Sequence, residues 1–299
     1  VVNGFDRVSA PMHIQGDSLA GFYNSWDSGV AHIKDIAFIG EQRNFDRRLS
    51  HASNDNDALG SSYSDYETEV VAGNTFDYPA LHGRSIAAAG FSFCSTSAHA
   101  IERGLVKMED YKIVDIILGK QHSYSMGRGT SGVKFKVLPE ALQDKIRDYT
   151  AAGGAVMASG CYIASDLWKG IDSDGEDRAF AREVLHYSFN GDMATRRGEV
   201  RTIASPMNMP RIDIRFNREP STTHYGVESP GCIAPYGRDA FIAMRYPRSN
   251  QPAAIGYKGK TYRTFVMAIP FESILDEDQR DKLMLGVLDF LNQSGSSEE

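Results

Sequence analysis

Ile113-Val114-Asp115-Ile116-Ile117-Leu118-Gly119, then Leu138, Leu142, Ile146 and Tyr149, then Gly153-Gly154 and Ala155-Val156-Met157-Ala158-Ser159-Gly160: this stretch decides the fold. Its two outer runs are continuously apolar and close into small or polar residues, which is how strands buried on both faces of a parallel sheet read. The residues between them recur at steps of four, four and three, one apolar stripe of a helix that the glycine pair stops. Strand, helix and strand in that order imply two parallel strands joined by a crossover, in a sheet covered on both sides.

The same pattern extends outward. Val1-Val2 runs into Asn3-Gly4, Phe91-Ser92-Phe93 into Cys94-Ser95, and Thr264 to Ile269 into Pro270-Phe271-Glu272, predicting three further strands. Leu283, Val287 and Leu291 predict a closing helix, with Asp276 and Gln279 as its capping pair. Arg211 to Phe216, Ala240 to Arg245 and Ala253 to Tyr257 are short alternating runs. They predict a small antiparallel β extension around 195–262, with Lys258-Gly259-Lys260 as a hairpin turn. Residues 41–68, rich in Asn, Asp and Ser, read as a long surface loop. No linker or repeat divides the chain, so 1–299 is expected to be one domain, a three-layer α/β sandwich with a mostly parallel sheet.

Composition excludes several classes. At 41% hydrophobic and 24% charged residues the chain is neither disordered nor fibrous. A net charge of −7 without a basic stripe argues against nucleic acid. No apolar run is long enough to span a membrane. The opening residues read as a strand already under way, so a mature or trimmed chain is expected. Cys94, Cys161 and Cys232 lack metal-ligand spacing; three buried thiols, or one disulfide and one thiol, fit them. No phosphate-binding glycine loop is present, so no nucleotide cofactor is expected, and no metal either. Gly127-Arg128-Gly129-Thr130-Ser131-Gly132 reads as a lid-like loop.

In open α/β sheets ligands lie beyond the carboxyl ends of the strands. That rule gathers Asn3, Asp6 and Arg7; Cys94 with Ser95, Thr96 and Ser97; Lys120, Gln121 and His122; and Ser159, Gly160, Cys161 and Tyr162. Asp77 and His82, ahead of the second strand, are placed to reach the same rim. Each has a plain structural alternative: Asp6 and Arg7 as an ion pair, Ser95 to Ser97 as a helix cap, His82 as a hydrogen-bonded structural histidine. Cys161 follows a small-residue strand end, as a nucleophile at a strand-to-helix elbow does, and amide donors there would serve an oxyanion. Tyr162-Ile163 stand where the elbow wants a second small residue, and a buried thiol is the other reading. The acidic run Asp172-Ser173-Asp174-Gly175-Glu176-Asp177 fits a helix capping box, Ser173 with Glu176, or a calcium loop without the EF-hand spacing.

Val2-Asn3-Gly4-Phe5-Asp6-Arg7-Val8-Ser9, Phe76-Asp77-Tyr78-Pro79 with His82-Gly83, Ile117-Leu118-Gly119-Lys120-Gln121, and Gly160-Cys161-Tyr162-Ile163-Ala164-Ser165-Asp166 together resemble a domain of exported Bacteroidetes proteins. These are labelled xanthan lyase or N-acetylmuramoyl-L-alanine amidase. The closing strand, Pro270-Phe271-Glu272 and the final helix are similar to class I glutamine-amidotransferase-like folds. The resemblance implies a flavodoxin-like fold, a secreted, periplasmic or cell-surface location, neighbouring modules in a longer chain, and work near peptidoglycan or polysaccharide. The amidotransferase triad does not carry over, because no His-x-Glu pair follows a later strand.

Two functions follow. One is a hydrolase acting on a cell-wall amide or glycan: Cys161, or a hydroxyl of Ser95 or Ser97, as nucleophile, His82 as base with Asp77 beside it, and Asp6, Arg7, Ser95, Ser97, Lys120 and Gln121 holding substrate. The other is a non-catalytic glycan- or protein-binding module whose rim residues bond to one another.

Overall fold

The computed structural model describes residues 1–5, 12–15, 18–22, 78–125, 133–218, 226–227 and 229–293. The strands are β1 (Val2–Asn3), β2 (Met12–Gln15), β3 (Ser18–Phe22), β4 (Thr96–Ser97), β5 (Ile113–Gly119), β6 (Tyr124–Ser125), β7 (Val133–Lys134) and β8 (Ala155–Gly160). They continue as β9 (Tyr187–Gly191), β10 (Glu199–Thr202), β11 (Asp213–Arg215), β12 (Cys232–Pro235), β13 (Ala240–Arg245), β14 (Pro252–Lys258) and β15 (Arg263–Met267). The helices are α1 (Tyr78–Ala88), α2 (Ala98–Glu102), α3 (Glu140–Ala151), α4 (Ser165–Lys169), α5 (Gly175–Glu183) and α6 (Glu277–Asn292).

Among the described residues nine strands form the central sheet, in the order β11-β10-β13-β14-β15-β8-β5-β1-β4. From β4 through β15 every pairing is parallel; from β15 outward to β11 every pairing is antiparallel. Numbered in chain order, the parallel strands stand 2-1-3-4-5, the doubly wound order of flavodoxin-like folds, with its switch point between β1 and β5. The predicted antiparallel extension, β10, β11, β13 and β14, joins this same sheet. Among the described residues three two-stranded sheets lie apart from it: β2 with β3, β6 with β7, and β9 with β12.

Side chains of adjacent positions enter two cores. Ile117, Met157 and Phe265 face Leu283, Met284 and Val287 of α6. Ile116, Leu118 and Val156 face Leu142, Ile146 and Tyr149 of α3. Both faces being covered, β5 and β8 have no polar side to show, and this is why they read as unbroken apolar runs. Gly153, at φ +95°, ends α3 as a left-handed cap. Asp276 caps α6 by accepting from the Gln279 amide at 2.9 Å. The capping box of α5 falls one residue later than the spacing predicts: Asp174 accepts from Glu176 and Asp177, and Asp177 accepts from the Asp174 amide.

The second parallel strand is a correction. Phe91 to Phe93 alternate like a strand, but the ladder begins only at Thr96. The amides of Gly90 and Phe91 bond back to Ala87 and Ile86 as the closing turn of α1, so this backbone belongs to a helix cap. Cys94 is exposed instead of buried, and all three cysteines are free. No helix among the described residues is long and apolar enough to cross a membrane.

Candidate functional site

At the switch point the strand ends are drawn tightly together. The Gly4 amide donates to Ile117 O at 2.8 Å. Gly119 adopts φ +48°, and a Cβ there would come within 2.3 Å of the Phe5 ring; one on Gly160 would meet Leu118 Cβ at 2.7 Å. Phe5 is buried over Gly119 and stacks on Tyr78 with ring centroids 5.5 Å apart. An apolar side chain thus packs where doubly wound sheets usually open toward a ligand.

His82, on α1, is wholly buried and stands between two carboxylates. Its Nδ1–H donates to Asp115 Oδ2 at 2.7 Å and its Nε2–H to Glu272 Oε2 at 3.2 Å. Asp115 sits mid-strand on β5, and Glu272 lies in the 3₁₀ turn Phe271–Ser273 that follows β15. Their exposures are 0%, 3% and 2%. Burial alone would lower the imidazole's pKa; the charge and hydrogen bond of Asp115, with those of Glu272, outweigh it and raise the value to about 9. His82 is therefore an imidazolium with both protons engaged, and holds no lone pair with which to accept another.

Cys161 begins the turn between β8 and α4, so the expected strand–turn–helix context is present. Its amide donates to Gly119 O at 2.7 Å and its thiol to Ser229 O at 2.8 Å. The thiol is buried, and the backbone is not in the left-handed region. Gly231 also closes on this point, its amide bonded to Ala268 O. The segment before β12 thus covers the end of β8.

A third buried carboxylate organises the loop after β5. Asp166 accepts from the Ser123 amide at 2.9 Å, the Ser123 hydroxyl at 2.5 Å and the Val137 amide at 2.8 Å. Burial raises its carboxyl pKa even though these three donors pull the other way. Lys120 and Gln121 are buried in the same loop, and the Gln121 amide turns back to Leu118 O. The His122 ring meets that of Tyr162 at a tilt, with centroids 4.7 Å apart.

The remaining expected residues separate. Ser97 caps α2 by accepting from the Ala100 amide at 3.2 Å. Ser95 and Cys94 precede β4 and so lie at its amino end, a correction that follows from the shifted strand. Asp6, Arg7 and Asp77 lie outside the described residues, as do the 41–68 segment and the Gly127 to Gly132 loop. Sequence reasoning passed over Asp115, Glu272, Ser123 and Asp166 as site residues. Asp115 carried a usable signal: a carboxylate inside a strand buried on both faces requires a partner.

Thiol chemistry reads the placement of Cys161 directly. In the native chain one thiol per molecule, Cys94, is expected to react quickly with Ellman's reagent, and all three in denaturant. A second fast native thiol that disappears in Cys161→Ser would reinstate an exposed nucleophile.

The strand order defines an α/β protein of the flavodoxin-like kind. No protein family matches the sequence, and neither does any curated protein. Among solved structures the chain is similar to a ThuA-like protein of Bacteroides uniformis, at 12% identity over 74% of this chain and 85% of that one, with a TM-score of 0.47. It is similar to a cytoplasmic protein of Salmonella typhimurium, at 14% identity over 71% and 85%, TM-score 0.45. It also resembles an exo-β-1,4-mannosidase of an Opitutaceae bacterium, at 11% identity over 79% of this chain, TM-score 0.45, and spans 35% of that enzyme's length. At these identities the likeness is one of fold.

Proposed function

We propose that the chain is a non-catalytic, glycan-holding module of an exported, multidomain protein. One observation supports this reading over a hydrolase: the nucleophile candidate Cys161 and the base candidate His82 are both buried and bonded within the protein, Cys161 to Ser229 and His82 to two carboxylates. A base without a lone pair and a thiol under a covering segment make a scaffold, not a reaction centre.

The surface suited to a glycan lies beside that edge. Trp168 of α4 and Phe189 of β9 have ring centroids 6.3 Å apart. Arg182 of α5 sits 5.6 Å from the Trp168 ring and 5.7 Å from that of the exposed Tyr236, and Lys169 lies 4.5 Å from Phe189. Aromatic faces match the C–H faces of a sugar ring, and the guanidinium and ammonium supply donors for its hydroxyls. Calorimetry with manno-, xylo- and chito-oligosaccharides and muropeptides tests this. Saturable binding is expected, weakened about tenfold by Tyr236→Ala or Trp168→Ala, with no release of new reducing ends or amines. Turnover abolished by Cys161→Ala would restore the hydrolase, and binding indifferent to both aromatic variants would move the ligand elsewhere.

A further inference from the structure

The central sheet ends at β11, and the bonding of that strand decides what its outer edge can take. The Thr202 amide donates to Ile212 O at 3.1 Å and the Phe216 amide to Gly198 O at 2.9 Å. Bonded and non-bonded positions alternate in an antiparallel pair. Ile212, Ile214 and Phe216 therefore turn their backbone groups toward β10, and Arg211, Asp213 and Arg215 turn theirs away. Arg215 is already engaged: its amide donates to Gln279 Oε1 at 3.1 Å and its carbonyl accepts from the Leu275 amide at 3.0 Å. The amides and carbonyls of Arg211 and Asp213 have no partner among the described residues.

Side chains alternate along the same stretch. Arg211, Asp213 and Arg215 are exposed, and Ile212, Ile214 and Phe216 are buried, which fixes the register of the strand against the core. Asp213 pairs with Arg201 of β10, its neighbour in the ladder, and Arg211 Nε lies 3.3 Å from Asp213 Oδ2. The side chains of Arg211 and Asp213 are 61% and 58% exposed, so the contact between them is weak and easily exchanged for another. A short, charged edge ordinarily turns other strands away. With a cation and an anion two residues apart, however, this one admits a strand whose charges run in the opposite order. An antiparallel copy of the same strand meets that condition.

We propose that this edge is a self-association surface, on which a second copy of the chain pairs antiparallel through β11 about a twofold axis at Ile212. Arg211 then lies opposite the partner's Asp213, and Asp213 opposite the partner's Arg211. Each such pair exchanges two backbone hydrogen bonds and sets a guanidinium beside a carboxylate. Pro210 does not interrupt the ladder, because it turns inward, its carbonyl accepting from the Thr202 hydroxyl at 2.8 Å. Leu275 stands opposite Arg215 and ends the ladder there. It is 47% exposed, and the partner's Pro210 would come beside it. The edge shares no residue with the glycan surface, so either can fail alone.

Sedimentation equilibrium of the 299-residue chain tests this. A monomer–dimer equilibrium is expected between roughly 1 µM and 1 mM, as suits a small interface. Arg211→Asp sets carboxylates opposite each other and Asp213→Arg sets guanidiniums opposite each other, so each should weaken association at least about tenfold. An equimolar mixture of the two variants should associate again, because each supplies the charge the other lacks. The double variant, with the charges exchanged within one chain, should regain self-association. Thermal melting shows that all three are folded. Hydrogen exchange needs no variant: the amides of Arg211 and Asp213 should slow as concentration rises, while that of Ile116 in β5 does not change. A wild-type chain still monomeric at about 1 mM, single variants that associate like wild type, or a mixture that stays monomeric would each overturn the proposal. So would a dimer in which the Arg211 and Asp213 amides exchange as fast as in the monomer, since the contact would then lie elsewhere.

Discussion

His82→Ala is expected to destabilise the protein by about 3–5 kcal/mol, the range for removing one partner from a buried ionic cluster. The loss is large because two carboxylates remain behind, Asp115 and Glu272, each almost wholly buried and each deprived of its imidazolium donor. The pairing itself is not the source of the loss, since an apolar cluster of similar volume avoids the desolvation altogether. The triple variant His82→Leu, Asp115→Leu, Glu272→Met should therefore recover most of what the single variant loses. Urea denaturation separates these cases through the midpoint at constant slope. Alkaline pH gives a second reading. The folded His82 titrates near 9, above its ordinary 6.5, so its contribution is full below about 6.5 and is lost as pH rises through 9. A shift of that size corresponds to roughly 3 kcal/mol. The wild-type chain should lose that much stability between these pH values, and the triple variant should not. A His82→Ala protein within 1 kcal/mol of wild type, or an alkaline slope shared by the triple variant, would mean that the cluster is not ionic.

That cluster also marks where sequence reading stops. The parallel strands were legible because burial on both faces leaves a strand no polar side, and β5 and β8 look accordingly. The helix ends were legible where a single residue sets them, as at Gly153 and Asp276. Phe91 to Phe93 misled because alternation is a local signal, whereas the cap of α1 that claims this backbone depends on where the helix stops. β9, β10 and β12 lie in stretches that do not read as strands from the sequence. Among polar residues, the rule of strand ends points to the turns after β5 and β8, but it does not say which way a side chain is engaged. His82 meets Asp115 across 33 positions and Glu272 across 190. No spacing in the chain encodes such a meeting. The residues that carried the family resemblance have structural work here: Gly119 admits Phe5, Gly83 lies against the Phe93 ring, and Asp166 ties the loop after β5.

Asp166→Ala is expected to cost about 3–4 kcal/mol, because three buried donors lose a charged acceptor together. The Ser123 amide, the Ser123 hydroxyl and the Val137 amide converge on its two oxygens, and no water-exposed route replaces them. Asp166→Asn should cost less, about 2 kcal/mol, because the amide oxygen still serves Ser123 while its NH₂ opposes the Val137 N–H. Hydrogen exchange distinguishes this from a diffuse loss of stability. In the alanine variant the amides of Ser123 and Val137 should exchange by local opening, while those of the β5 core, such as Ile116, follow global unfolding. Continued protection of both amides in a variant of unchanged stability would show that Asp166 is not what holds the loop. The consequence reaches function through α4, which carries both Asp166 and Trp168. Releasing Asp166 frees the helix that presents Trp168 to Arg182 and Phe189, so glycan affinity should fall in Asp166→Ala although the substituted side chain is buried and touches no ligand. Affinity unchanged under conditions where the variant remains folded would detach the aromatic surface from this latch.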